Sequence, residues 1–458
     1  MLLTRKNLKI LRFICFYLLI ISLLFFSGQF SFYFFSLILL LLIFEYINKK
    51  EYFNPIIGFS LGFIIYFCIP YFFFNNGYYQ YILDYKIKLF IISSFFSYLI
   101  GSFMFSLLFL KKRRNNFFII QKLNFSQKKL KILGVIIIFV KILHLLSGYK
   151  TTIISAIGKS GIADIFIVFI NITTFVYMNL ISYFILKIKK SKTLLLLFFC
   201  ILFLDIFYGS KFRILLDFSP LIFWYLYFYK TLSIKYIIVL FVIILISFSF
   251  SLAIRTHKYL AYSNSFSQIG YLAVILLKNY SFHIFDLIIG RLNMLEPLIR
   301  IFDNKNLTTK FLSHYPLNNT IFPLFFISFI PRFIWHNRID SNPGGYFGYV
   351  FGWTSSYKDA YVSASLIGEF FINFSWYSLL LIFCLGFLHQ LIYQIFFNKS
   401  RKFIFKIIYL YFFIYVVLSG VESYFVIRYN IFIKNSILMF LIYTIIFQIL
   451  KVHRKKKV

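Results

Sequence analysis

Acidic residues are scarce in this sequence of 458 residues, which limits the chemistry it can support. There are 13 Asp and Glu against 48 Lys and Arg, a formal net charge of +35. A divalent-metal site built from carboxylates is therefore not expected, and neither an HExxH motif nor a Cys/His pair with zinc spacing occurs. The absence of a Walker P-loop and of a G-x-S-x-G motif argues against an ATPase and a serine hydrolase. We expect no metal and no cofactor.

Cysteine is equally rare. The four cysteines lie inside apolar runs, far apart in sequence: Cys15, Cys68, Cys200 and Cys384. Residues in such positions are expected to be small buried hydrophobes, so a disulfide, a zinc site and thiol catalysis are not predicted.

Apolar residues, by contrast, make up 61% of the chain, and the mean hydropathy is +0.85. A soluble protein of this length needs more polar residues to cover its surface. The sequence therefore predicts an all-α polytopic membrane protein of about 12 transmembrane helices. The predicted spans are residues 10–27, 30–48, 55–74, 89–110, 132–147, 164–186, 193–208, 213–229, 236–254, 370–397, 403–420 and 431–450.

The basic residues form clusters beside these runs. The clusters fall before the first span or after even-numbered spans, at residues 5–12, 49–50, 111–131, 187–192, 230–235, 399–402 and 451–457. Because cytoplasmic loops are enriched in Lys and Arg, both termini are expected in the cytoplasm. Most of the positive charge then serves orientation, and nucleic acid is not an expected partner.

One large loop, predicted to be extracytoplasmic and partly helical, separates the ninth predicted span from the tenth. We divide the chain into an N-terminal bundle of about nine helices at 1–254, the loop at 255–369, and C-terminal helices at 370–458. An apolar stretch near 321–335 contains two prolines and is predicted to be re-entrant or interfacial. The glycine-rich piece from Ser341 to Trp353 is predicted to be irregular.

A short outer turn at 209–213 carries the first candidate site. Lys211 and Arg213 stand there at the start of a predicted helix, where backbone N–H groups and two cations can bind an anion such as a lipid phosphate. The alternative is interfacial anchoring, with Arg213 paired to Asp217 one turn on.

The second candidate is the segment 329–338. Arg332 and Arg338 can clamp a diphosphate through paired hydrogen bonds, and His336 can act as a general base. The alternative is an interfacial segment anchored by Trp335 and the arginines.

The third candidate is Glu369, an acid at the outer mouth of the tenth predicted span. A carboxylate near a helix N-terminus is stabilised by the helix dipole, so a structural role competes with a catalytic one. Arg255 is a further candidate cation of the long loop.

These features together resemble the oligosaccharide repeat-unit polymerases, or O-antigen polymerases. The resemblance covers the many helices, the Gly-Ser-basic-x-Arg turn, the Pro-Arg-x-x-Trp of residues 331–335 and the Ile-Gly-Glu of 367–369. Where the family commonly has a lysine, this chain has Arg338, which keeps the charge.

The resemblance implies two substrates held on undecaprenyl diphosphate at the outer face of a bacterial cytoplasmic membrane. An acceptor hydroxyl attacks the anomeric carbon of the donor glycan, and undecaprenyl diphosphate leaves. We predict that the leaving group is bound by five cations: Arg213, Arg332, Arg338, Lys211 and Arg255. The predicted catalytic base is His336, with Glu369 as second choice. The expected partners are these lipid-linked oligosaccharides, the bilayer, a chain-length regulator and a flippase.

Two alternatives remain open from the sequence. An O-antigen ligase uses the same donor and shares the architecture. A lipid-linked oligosaccharide flippase also has about twelve helices, but it is expected to bury charged residues along a central cavity.

Overall fold

The computed structural model of the protein describes most of the chain. It covers residues 30–75, 84–109, 126–146, 161–188, 191–207, 211–229, 292–330, 343–356 and 362–450, with Gly290 and Trp335 in addition. Within these ranges the ordered elements are all helical, as the composition predicts.

Sixteen α-helices are referred to below. In chain order they are α1 (Phe30–Asn48), α2 (Pro55–Phe63), α3 (Ile69–Asn75), α4 (Tyr85–Phe109), α5 (Gln127–Leu146), α6 (Gly161–Ile188), α7 (Lys192–Phe207), α8 (Lys211–Tyr229), α9 (Leu295–Asp303), α10 (Lys305–Ser313), α11 (Ile321–Ile327), α12 (Gly344–Val350), α13 (Leu366–Phe374), α14 (Ser378–Ile392), α15 (Phe403–Phe412) and α16 (Phe425–Leu450). π-Helical turns occupy Ile64–Cys68, Tyr393–Lys399 and Phe413–Leu418.

Six helical stretches in the described ranges are long and apolar enough to cross a membrane. They are Pro55–Phe73, Tyr85–Ser106, Phe166–Lys187, Leu366–Lys399, Phe403–Glu422 and Phe425–Leu450. These stretches support a membrane-embedded helical protein. The full count of twelve spans stays a prediction: the six stretches correspond to six of the ten predicted spans in the described ranges. The first and ninth predicted spans lie outside the described residues.

The chain forms two compact units, each discontinuous in sequence. Unit 1 contains residues 1–118, 288–400 and 412–432, and unit 2 contains 119–287, 401–411 and 433–458. Compact units thus combine distant parts of the chain, whereas the predicted division followed the order of the sequence.

The closest packing in unit 1 joins α4 and α14. A Cβ atom added at Gly101 would lie 1.9 Å from the carbonyl oxygen of Phe383, and one at Gly386 would lie 2.1 Å from that of Tyr98. Ser102 Oγ donates to the Gly386 carbonyl at 3.1 Å. Small residues let the two backbones touch, which is a common way for membrane helices to associate.

The face of α14 turned away from this contact is exposed. Leu380, Cys384 and Leu388 follow one another there at intervals of four residues. The expectation that every cysteine is buried is therefore wrong for Cys384. An apolar run predicts a membrane span but not which side of the helix packs against protein.

The long inter-span segment of unit 1 folds into short helices, α9 to α12. The prediction of irregular backbone from Ser341 to Trp353 is wrong for Gly344–Val350, which is helical. Phe347 of this helix is fully buried against Phe311 of α10, at 5.4 Å between ring centroids. Burial of that aromatic side chain outweighs the low helix propensity of the glycines.

Arg300 of α9 contacts the residues that follow α12. Its guanidinium donates to the Phe351 carbonyl at 2.7 Å and to Glu296 at 2.8 Å, and it lies 4.1 Å from the Trp353 ring. The turn itself needs Gly352, whose φ of +78° suits a residue without a side chain.

Unit 2 contains α5 to α8, together with α15 and the end of α16. Trp224 of α8 is fully buried and donates to Asn179 of α6 at 3.2 Å. Lys141 of α5 and Asp205 of α7 form an ion pair at 2.5 Å, with both side chains fully buried. Removing a charged pair from water is costly, and ionisable residues inside membrane helices are typical of functional sites.

Candidate functional site at the start of α16

Most of the predicted site residues lie outside the described part of the structure. Arg255, Arg332, His336 and Arg338 are outside it altogether. The other two predicted cations, Lys211 and Arg213, lie in the first turn of α8, but their side chains are not described. Their assignments stay predictions, as does the re-entrant path near 321–335, where α11 accounts for Ile321–Ile327.

Glu369, the remaining predicted residue, is fully buried in unit 1. One carboxylate oxygen accepts the backbone N–H of Phe425 at 2.5 Å, and the N–H of Val426 also binds this side chain. These are the first two residues of α16, whose N–H groups have no partner within the helix. Glu369 therefore provides the hydrogen-bond acceptor for the N–H groups at the start of that helix.

The helix that carries Glu369 is sharply bounded. Ser365 precedes it with a φ of +67°, and its hydroxyl accepts the N–H of Gly368 at 3.2 Å. Ser375 follows it with a φ of +52°. Non-glycine residues rarely adopt such values, so packing must hold both ends of this short helix in place.

A small hydrogen-bond network surrounds the other carboxylate oxygen of Glu369. Thr320 Oγ1 donates to it at 3.4 Å. Asn373 donates to Thr320 Oγ1 at 2.9 Å and accepts the Thr320 N–H at 2.8 Å. The network ties the residue before α11 to α13, and so joins the long inter-span segment to the start of α16.

Two further charged residues lie beside this helix start. The Tyr66 hydroxyl hydrogen-bonds to Glu422, three residues before α16. Arg428, in the first turn of α16, lies 4.5 Å from the ring centroid of Tyr415 and hydrogen-bonds to its hydroxyl. Glu422 and Arg428 are partly exposed, unlike Glu369. The carboxyl group of Glu422 and the guanidinium of Arg428 are therefore both partly exposed near the N-terminus of α16.

Tyr424, which lies in sequence between Glu422 and Arg428, is fully buried near Glu369. Burial, and next the nearby Glu369 carboxyl, raise the pKa of its phenol well above the usual value. It is therefore neutral over the physiological range and donates to the Val362 carbonyl at 3.3 Å. This contact holds the chain before α13 close to the start of α16.

Sequence reasoning did not assign a role to the Glu422 and Arg428 pair. Both residues are recognisable as charges in the turn before the last predicted span. Their partners are not, because Tyr66 is distant in sequence from Glu422 and Tyr415 lies in an apolar run. It also missed His389, which is buried between the hydroxyls of Tyr98, at 2.9 Å, and Tyr429. An isolated histidine in an apolar run carries no signal that could have revealed such contacts.

No group of three His, Cys, Asp or Glu side chains in the described ranges is placed to hold a metal ion. At the start of α16, instead, one guanidinium and one carboxylate, those of Arg428 and Glu422, are partly exposed. Such a pair can bind an anion and accept a proton.

Comparison with known proteins gives no relative: the chain matches no family model, no curated protein and no solved structure. Its function must therefore be argued from its own residues.

Proposed function

We propose that the protein is a polymerase that joins undecaprenyl-diphosphate-linked oligosaccharide repeat units into a surface polysaccharide, O-antigen or capsule. It acts at the outer face of the bacterial cytoplasmic membrane, with both termini in the cytoplasm. Its partners are the lipid-linked oligosaccharides, a flippase that supplies them and a chain-length regulator.

The observation that supports this proposal is the presence of two partly exposed charged residues, Glu422 and Arg428, at the start of α16. The charge pattern predicts that this turn is extracytoplasmic. The network of Glu369 and Thr320 joins it to the long inter-span segment, which bears the predicted cations Arg332 and Arg338. A basic site at the outer surface suits a diphosphate leaving group, which develops negative charge as it departs.

Deletion of the gene in its host tests the proposal against both alternatives. Loss of a polymerase leaves single repeat units on the final acceptor. Loss of a ligase leaves long polymer on the lipid carrier, and loss of a flippase leaves lipid-linked repeat units in the cytoplasmic leaflet. Gel analysis of the surface glycan and of the extracted carrier lipids separates the three outcomes, and either of the last two contradicts the proposal.

Complementation of that strain tests the predicted diphosphate clamp. Arg332→Ala and Arg213→Ala should insert in the membrane normally but produce no polymer, because each removes a cation from the leaving group. Lys128→Ala, an exposed change in the first turn of α5 on the predicted cytoplasmic side, is the control and should restore full-length polymer. Full-length polymer from both arginine variants would exclude the clamp.

One observation favours the flippase as a second candidate. The buried pair of Lys141 and Asp205 is the kind of charge expected inside a transporter, and it was not anticipated from the sequence. If the pair serves transport, the uncharged double variant Lys141→Met/Asp205→Leu should fold but stop the appearance of repeat units outside the membrane. A polymerase should tolerate this change.

A further inference from the structure

Lys88 is an almost completely buried cation of unit 1. It lies in the first turn of α4 and is only 7% exposed. Its ammonium nitrogen lies 6.0 Å from the ring centroid of Tyr71, a residue of α3 that is 3% exposed. This separation is at the outer limit of a cation–π contact, and the ring accepts none of the three ammonium hydrogens as a lone pair would. The aromatic neighbour therefore compensates the charge of Lys88 only weakly.

The described acidic residues of unit 1 do not compensate this charge either. None of their seven side chains forms an ion pair with Lys88. The seven are Glu45, Glu51, Asp84, Glu296, Asp303, Glu369 and Glu422. Asp84, which immediately precedes α4, is exposed and accepts the backbone N–H of Lys86 at 3.4 Å. Because a buried charge without a counter-ion is strongly unfavourable, an anion from outside the protein is expected to bind Lys88.

The ammonium of Lys88 is accessible to such an anion. Among the described residues it has no hydrogen-bond partner, yet it is not one of the polar atoms that are both unpartnered and fully enclosed. Asn430, by contrast, has two such enclosed atoms in its side chain. The stem of Lys88 is therefore covered by protein, while its charged end reaches the surface.

Exposed aromatic residues lie at the same ends of the neighbouring helices. Tyr33 in the first turn of α1 is 44% exposed, Phe73 of α3 is 56% exposed, and Tyr85 at the start of α4 is 47% exposed. The ring of Tyr33 lies 6.5 Å from that of Tyr71. The charge pattern predicts that all three helix ends face the extracytoplasmic side, where tyrosine is typical of the headgroup level. An anion at this level of the membrane belongs to a lipid.

We propose that Lys88 binds the phosphate group of a lipid at the extracytoplasmic surface of the membrane. The ammonium donates to the phosphate oxygens, and the apolar tail of the lipid lies beside the exposed aromatic residues. An anionic phospholipid and the polyprenyl carrier of the glycan share this chemistry, because each presents a phosphate ester on an apolar tail. The inference does not require the proposed function, since a phospholipid would bind Lys88 in a protein of any activity.

Native mass spectrometry of the full-length, delipidated protein in a neutral detergent tests this proposal. Two pairs of probes separate the two sources of phosphate. Dioleoylphosphatidylglycerol is compared with dioleoylglycerol, and undecaprenyl diphosphate with undecaprenol, so that the members of each pair share their tails and differ in the phosphate. Wild-type protein should bind at least one of the two phosphate lipids more tightly than its phosphate-free analogue.

Lys88→Met should weaken binding of that phosphate lipid about tenfold and leave binding of its analogue unchanged, because only the charge-assisted hydrogen bonds are lost. Lys86→Met is the matched control. It removes the same charge from the same turn of α4, but its side chain is exposed, so it should bind lipid as wild type does. Equal affinities for Lys88→Met and wild type with both phosphate lipids would overturn the proposal. An equal loss in Lys86→Met would also overturn it, because general surface charge would then explain the binding.

The melting temperature gives a second, independent readout. Without lipid, Lys88→Met should melt no lower than wild type, because it removes a buried charge that the described protein does not neutralise. The phosphate lipid should raise the melting temperature of wild type and of Lys86→Met, but not that of Lys88→Met. A Lys88→Met protein that fails to fold, or that melts lower than wild type without lipid, would mean that the protein itself supplies the anion, and would contradict the proposal.

Discussion

The carboxyl group of Glu369 has no contact with solvent, so its oxygen atoms must find hydrogen-bond donors within the protein. They find them in Thr320 and in the first residues of α16. Three parts of unit 1 that are distant in sequence therefore meet at this single side chain. Loss of the side chain leaves buried donors without acceptors, which costs more than loss of the hydrogen bonds alone.

Glu369→Ala is therefore expected to destabilise the protein strongly. Each orphaned donor costs about 1–3 kcal/mol, so the apparent melting temperature in detergent should fall clearly. Glu296→Ala is the control: it removes an acid whose pair with Arg300 is about one-third exposed, so it should cost less than about 1 kcal/mol. Equal melting temperatures for the two variants would contradict the capping role.

Prediction from sequence at this scale depended on whether the partner of a residue was nearby. Glu369 was recognised as an acid at a helix start, and both a structural and a catalytic role were considered. The choice between these two roles depends on the hydrogen bond from Phe425, which lies 56 positions later in the sequence. The contact of Arg428 with Tyr415 is equally hidden in the sequence, because Tyr415 resembles every other aromatic residue in an apolar run.

At the scale of helices, glycine contacts and one buried ion pair determine which faces pack together. α4 and α14 touch through Gly101 and Gly386, where a side chain would collide with backbone. α5 and α7 are joined by Lys141 and Asp205. Long apolar helices offer few other distinguishing features, so these positions define the pairing.

Gly101→Ala should disrupt the pairing of α4 with α14. The added Cβ would lie 1.9 Å from the Phe383 carbonyl oxygen, so the backbone must shift. We expect a large loss of monodisperse protein in gel filtration. Gly290→Ala is the matched control, since no atom of the described residues lies within 4 Å of a Cβ placed there. If both variants elute as wild type, the close contact is absent in the membrane.

Lys141→Met should lower the melting temperature, because it leaves Asp205 buried without its cation. Breaking a buried pair in this way costs about 3 kcal/mol or more. The double variant Lys141→Met/Asp205→Leu removes both charges and should recover most of the loss. A double variant that is less stable than the single one would mean that the pair itself stabilises unit 2.

Hydropathy located the helices well but not their internal breaks. The predicted span at 370–397 corresponds to a longer stretch, Leu366–Lys399, that contains α13, the bend at Ser375 and a π-helical turn. Such features arise from packing between distant segments, so local composition does not reveal them. The helix at Gly344–Val350 is not predicted either, because it too depends on packing against a distant segment.

For the whole molecule, the basic clusters imply one orientation in the membrane. The residues before α5 and those between α14 and α15 should be cytoplasmic, and the segment of α9 to α12 should be extracytoplasmic. This predicted orientation places Glu422 and Arg428 on the extracytoplasmic side.

Single cysteines introduced into a cysteine-free protein check this orientation. In intact spheroplasts, an impermeant maleimide should label Ser313→Cys, which is exposed at the end of α10. It should label Lys128→Cys and Lys402→Cys only after permeabilisation. The reverse pattern would invert the molecule and exclude the proposed site from the outer leaflet.

The central claim is that this chain alone links lipid-bound repeat units. The most direct measurement supplies purified protein in proteoliposomes with lipid-linked repeat units from the deletion strain, and follows glycan length and free undecaprenyl diphosphate together. The account predicts a ladder of products, with one undecaprenyl diphosphate released for each linkage formed. Repeat units that remain single and carrier-bound in the presence of folded protein would contradict it.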